Sequence, residues 1–281
     1  MVVELFAVGD ESGIQAGAPY CLISGYIGSA KEWLAFEPQW EAVLKGAGVQ
    51  WFHARQFFGR GNDGRRLGPY GAWTDDDARV FLSKLAGVIN QRRLRPIGVA
   101  VDTGAFNALT EGERRWLTGG LWAARPDDLS RGRWTQNTGA PTKPYYLAFQ
   151  FFLVQAAQSS VKDAQISFLF DRQNVLQAQA INMFQQTVER GLIKIEGYEK
   201  YLRWIAYGNS PDEPSLQAAD LHTHAWYGTL ARGPDLEWER SYAMDLLTKK
   251  RTVMGICNAD YLEQLLTRLP ADVRKRLRQL A

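Results

Sequence analysis

Cysteine and histidine are scarce in this chain, with two of the first and three of the second in 281 residues. Cys21 and Cys257 sit among apolar or small neighbours and form no CxxC or Cys/His cluster. That argues against a zinc ribbon or a disulfide scaffold and predicts two buried, reduced thiols. No apolar run approaches the ~18 to 20 residues that a membrane span needs. The segment from Met1 to Asp10 carries neither a basic stretch nor a small-residue cleavage site, so no signal peptide and a cytoplasmic location are expected. GxGxxG, GxxxxGK[ST] and GxSxG are all missing, which leaves the usual dinucleotide, P-loop and serine-hydrolase sites without support. Neither charge sign dominates: 33 Lys and Arg against 30 Asp and Glu leave +3. That mildly basic balance permits a nucleic-acid partner without requiring one.

The chain is rich in ordinary globular composition: 46% hydrophobic, 12% aromatic and 22% charged. These values exclude a disordered chain, a collagen and a coiled coil. With no repeat and no low-complexity linker, residues 1–281 read as one domain. It would carry an Arg/Trp/Gly-rich insertion at about 103–144 and a helical C-terminal extension from about 235. Residues 2–9 and 20–27 are apolar, β-rich runs separated by a Gly17-Ala18-Pro19 turn signal, and they predict a hairpin. Helical spacing marks residues 31–44, and Thr74 followed by three acids marks a helix start. Strands are expected at 95–102, 164–171 and 201–207, with helices from about 145, 175 and 215. The order predicts an α/β fold in which an antiparallel hairpin feeds a mixed sheet flanked by helices.

Three carboxylates occupy one kind of place. Asp10 ends the first strand, Asp171 ends a later strand, and Asp220 lies early in a helix that follows another strand. Ligands bind at the carboxyl ends of strands in α/β sheets. Hard oxygen donors converging there suit one or two Mg²⁺ or Mn²⁺ ions, which hydrolyse phosphodiesters by activating water and stabilising the leaving oxygen. The alternative for each acid is a turn cap. Gln217, Asp220 and His224 fall on one helix face at spacings of three and four. His224 is a candidate metal ligand, general base or phosphate clamp, or else a hydrogen-bond partner of Asp220 or of a backbone carbonyl. His222 points elsewhere and reads as structural. His53 either reaches the acidic site or sits in a core packed by Trp51 and Phe52. Glu11 should face away from Asp10 unless the strand bends at Ser12-Gly13. Arg55, Arg60, Arg65 and Arg66 face only Asp63 in the local sequence; with Arg172 they are candidates to grip phosphates, or else solvated surface.

Phe6-Ala7-Val8-Gly9-Asp10-Glu11-Ser12-Gly13, His53-Ala54-Arg55, Phe168-Leu169-Phe170-Asp171-Arg172-Gln173 and Leu216-Gln217-Ala218-Ala219-Asp220 together resemble the domain-of-unknown-function (DUF) 3800 family. The resemblance spans about residues 3–230 and implies a ribonuclease H-like fold. It implies that Asp10 is the first-strand metal-binding acid, Asp171 the acid ending the fourth strand and Asp220 the acid on the last core helix. His224, one turn beyond Asp220, would stand where resolvase-type sites keep an extra acid or histidine. The expectation is a metal-dependent nuclease acting on DNA or RNA. A non-catalytic binding module on the same fold and a nucleotide phosphohydrolase are the alternatives.

Overall fold

The two N-terminal runs pair as the hairpin their turn residues predict, in a computed structural model that describes residues 3–122, 131, 135–136, 142–161, 164–172, 175–190, 199–233, 238–248 and 253–280. Strands β1 (Val3–Ser12) and β2 (Tyr20–Ser29) run antiparallel from Leu5 opposite Ser29 to Ser12 opposite Leu22. Gly25 is required by that pairing, because a Cβ there would lie 2.0 Å from the Val8 carbonyl oxygen.

Four more strands complete a six-stranded mixed sheet: β3 (Arg95–Asp102), β6 (Ala164–Asp171), β7 (Leu202–Gly208) and β8 (Val253–Cys257), in the order β7-β6-β1-β2-β3-β8. β3 joins β2 antiparallel, while β6 pairs parallel with β1, β7 with β6 and β8 with β3. The stretch from about 235, expected to be a helical extension, also supplies an edge strand. Strands β4 (Leu121–Trp122) and β5 (Thr135–Gln136) form a separate short ladder.

Helices cover both faces, and the pleat of β1 divides them. Val8 packs with Tyr26 against α1 (Ala30–Gly46), α3 (Asp75–Asn90), α8 (Pro214–Arg232) and α9 (Trp238–Leu247). Ala7, on the other face, packs with α6 (Pro144–Gln158), α7 (Gln177–Arg190) and α10 (Ala259–Thr267). The starts of α1 and α3 are capped as their sequences dictate. Ser29 accepts from the Glu32 N–H, and Thr74 forms a reciprocal capping box with Asp77. Leu34 and Val80, apolar residues within these helices, face solvent.

The Arg/Trp/Gly-rich insertion is regular at its start. It begins with α4 (Thr103–Asn107) and α5 (Glu111–Leu117), the latter opened by a Thr110–Glu113 capping box. Glu113 also takes ion pairs from Arg274 and Arg278, at 3.2 and 2.9 Å. Arg274 lies on α11 (Ala271–Leu277), so its ion pair ties that helix to α5. Residues 123–130, 132–134 and 137–141 of the insertion, Gln173 and the Lys249-Lys250-Arg251 run lie outside the described residues.

Candidate functional site

Parallel pairing of β1 and β6 fixes where the first two acids stand. The last paired residues are Gly9 and Phe170, so Asp10 and Asp171 follow side by side at the carboxyl ends of adjacent strands. The residue parity that sends Val8 toward α8 sends Asp10 the same way. Asp220 arrives from α8, whose small residues Ala218, Ala219 and Ala225 are fully buried. All three acids line one cleft of about 830 Å³.

Asp102 shows what an ordinary strand-end acid does: its carboxylate accepts the Ala105 N–H and caps α4 at 2.9 Å. Asp10 behaves differently. It is 8% exposed. Burial pushes its carboxyl well above the usual carboxylate range, and repulsion from Glu11, Asp220 and Asp171 adds to that. Asp220 is raised to about 7, by burial first; the Ala54 N–H that donates to it at 2.8 Å and a hydrogen bond with Asp10 pull the other way. Asp171 is partly buried, and its Oδ1 accepts the Ser210 N–H at 3.2 Å.

β1 stays extended through Ser12, so Glu11, although it still lines the edge of the cleft, alternates to the sheet face opposite Asp10. There its charge raises the hydroxyl pKa of Tyr145 and Tyr207 behind the larger effect of their burial. Gly13 then bends the chain at φ 74°, where a side chain would run into the Tyr20 carbonyl and the Tyr227 ring.

Gln217 is buried beneath the site. Its Oε1 accepts from Trp40 Nε1 at 3.0 Å and from the Phe52 N–H at 2.9 Å, while its Nε2 donates to the Ser210 carbonyl at 2.9 Å. One amide thus ties α1, the 51–53 segment and the 209–212 turn to α8. His222 reads as structural: fully buried, it meets Ser24 Oγ at 3.0 Å within a Ser24–Thr223 network that also reaches the Asp10 carbonyl.

His224 lines the cleft but meets neither Asp220 nor a carbonyl among the described hydrogen bonds. Its Nε2 faces Arg240 Nη2 at 3.0 Å, and its ring stacks on Phe58 with centroids 5.3 Å apart. Burial, with Arg240 next, lowers its pKa to about 3, so the ring is neutral and Nε2 accepts from the guanidinium. Arg240 is buried and also lies over the Phe58 ring, 5.2 Å from the centroid. It lines the cleft, as do Arg55 and Arg232. Sequence reading missed Arg232 and Arg240; only the four-residue step from Asp220 to His224 hinted at that side of the cleft.

His53 is in the cleft and not in the core. Its ring stacks on Trp51 at 5.1 Å, its Nδ1 is buried with no hydrogen-bond partner among the described residues, and burial lowers its pKa. The arginine group divides. Arg55 lines the cleft and is exposed. Arg65 and Arg172 are exposed elsewhere, Arg65 near Asp63 at 3.9 Å. Arg66 is 6% exposed and bridges Glu239 at 2.9 Å and Asp75 at 2.8 Å; Arg60 pairs with the same Glu239. Arg60 and Arg66 are therefore structural ties to α9 and α3, because their partners are distant in sequence and close in space.

Asp10, Asp171 and Asp220 offer carboxylate oxygens to the cleft, which suit a hard divalent cation in kind. In arrangement, no group of three or more His, Cys, Asp or Glu side chains among the described residues is placed to hold a metal ion. No helix among the described residues is long and apolar enough to cross a membrane. Comparison of the chain with protein-family models, with curated proteins and with solved structures gives no match.

Proposed function

We propose that this chain hydrolyses phosphodiester bonds of a nucleic acid with the help of a divalent metal ion, Mg²⁺ or Mn²⁺. One observation carries the reading: acids from three separate elements, Asp10, Asp171 and Asp220, meet in one cleft whose walls also present Arg55, Arg232 and Arg240. An acidic floor under a basic wall is the charge pattern that a metal-assisted phosphodiesterase needs. The ribonuclease H-like architecture belongs to the same proposal, supported by an antiparallel hairpin with parallel strands on one flank.

Asp10, Asp171 and Asp220 would hold the ion. When bound, such an ion supplies an activated water and stabilises the leaving oxygen. The chain's own groups do the rest. Arg55 and Arg240 orient the phosphate, and Gln217 keeps the cleft walls in register. His224 holds Arg240 rather than taking a proton at Nε2.

The lack of a ready three-ligand arrangement among the described residues favours a second reading, a cleft that binds nucleic acid without cutting it. Isothermal titration of Mn²⁺ into wild type and Asp10→Ala, with cleavage assays on single- and double-stranded DNA and RNA, separates the two. Binding and cleavage that both vanish in the variant support the hydrolase; equal behaviour without cleavage supports the binding module.

A further inference from the structure

The segment before α2 (Ala54–Phe58) alternates in a way that cores do not require. Phe52 and Ala54 are fully buried, and their N–H groups donate to Gln217 and Asp220. Trp51, His53 and Arg55, the alternate residues, all line the cleft. Trp51 is partly exposed and stacked on His53 with an interplanar angle of 23°. Two stacked rings followed by a guanidinium therefore form a strip along the wall. The backbone beneath that strip is bonded to the acid on α8. Tyr227 adds a third ring elsewhere in the cleft.

From this strip we infer that the cleft takes an unpaired stretch of nucleic acid, with a base extending the Trp51–His53 stack and Arg55 on the adjoining phosphate. This rests on the nucleic-acid reading above and narrows it to single strands. Aromatic rings recognise any base by its π-face, and arginine adds backbone charge. Asp10, almost closed off at the floor, is reached more readily by a strand that can splay its bases. Burial lowers the His53 pKa, which favours a neutral ring that stacks over a charged one that ion-pairs.

The test is fluorescence polarisation without added metal, using short labelled single strands of DNA and RNA, a blunt duplex and an abasic strand. Wild type should prefer a single strand of DNA, RNA or both over the duplex. Trp51→Ala should weaken that binding roughly five- to hundredfold, while Trp51→Phe keeps most of it. The abasic strand should bind wild type and Trp51→Ala alike. Arg55→Ala should lower the salt slope by about 0.7, an independent check should Trp51→Ala fail to fold. Equal affinity for duplex and single strand overturns the inference, as does unchanged affinity in a folded Trp51→Ala. Trp51-dependent binding by a wild type that cleaves nothing with Mn²⁺ would remove the hydrolase and keep the strip. Cleavage abolished by Asp10→Asn, with Trp51→Ala binding normally, would do the reverse.

Discussion

The backbone N–H of Ala54 donates to Asp220 Oδ2 at 2.8 Å, joining two residues 166 positions apart. Gln217, one turn earlier on α8, makes the parallel bond to Phe52. The wall of the cleft is thus fastened to the helix that supplies one of its acids.

Gln217→Ala would leave the Trp40 indole N–H, the Phe52 N–H and the Ser210 carbonyl without their partner in a buried place. Each such group costs about 1 to 3 kcal/mol. The variant should lose roughly 3 kcal/mol or more in urea unfolding. Gln217→Glu keeps the acceptor but sets a carboxylate against the Ser210 carbonyl, so it should recover only part. A loss below about 1 kcal/mol for the alanine variant would show that the amide does not tie the site together.

The acids make a prediction about pH that is cleanest as a difference between proteins. Asp220 is raised from 3.8 to about 7 in the folded state, so between those values the folded protein binds more protons than the unfolded one. Its contribution is fully present below the unfolded value and is lost as pH rises through the folded one. Asp220→Asn should therefore gain stability relative to wild type on going from pH 4 to pH 8. The gain should be of order 1 kcal/mol or more, and Asp10→Asn should behave likewise. Parallel thermal-denaturation profiles for wild type and variant would contradict it.

His224 shifts oppositely. With a folded pKa of about 3, lowered by burial and then by Arg240, its contribution is lost as pH falls below the ordinary value of 6.5. His224→Gln should blunt that acid-side loss. Gln Oε1 can still accept from Arg240, so metal-dependent cleavage should stay within about tenfold with its acid limb unmoved. An acid limb that disappears in His224→Gln would make His224 the base after all.

Arg66 and Arg65 are neighbours with different fates. Arg66→Ala removes a buried partner of Glu239, a change that costs about 3 kcal/mol or more, with Arg60 compensating in part. Arg65→Ala, on the exposed side, should stay within about 0.5 kcal/mol. Chemical denaturation of the two variants decides it; a large loss in Arg65→Ala would reverse the assignment.

Much of the fold was legible in one dimension because it rests on local signals. Apolar, β-rich runs over 2–9 and 20–27 with Gly17 and Pro19 between them marked the hairpin, observed as 3–12 and 20–29, and Thr74 followed by its acids marked the start of α3. The acids at strand ends were visible too, since a carboxylate closing an apolar run is chemically out of place. β8 was not legible: five residues of edge strand carry too little periodicity to stand out from the helices around them.

For the site, the residues fixed which groups could matter, and only tertiary contact fixed what each does. Nothing local distinguishes Arg55, on the cleft, from Arg66, buried against Glu239 173 residues away. Nothing local predicts that His224 faces Arg240 rather than Asp220, because helix spacing sets the face a side chain shares and not the partner packed against it. Sequence determined the central strands, the helix cap at Thr74 and the inventory of acids, since those depend on backbone propensity and neighbouring residues. The packing of α8 and α9 onto the sheet decided charge partners, burial and the raised acids, since those depend on which distant groups share a low-dielectric space.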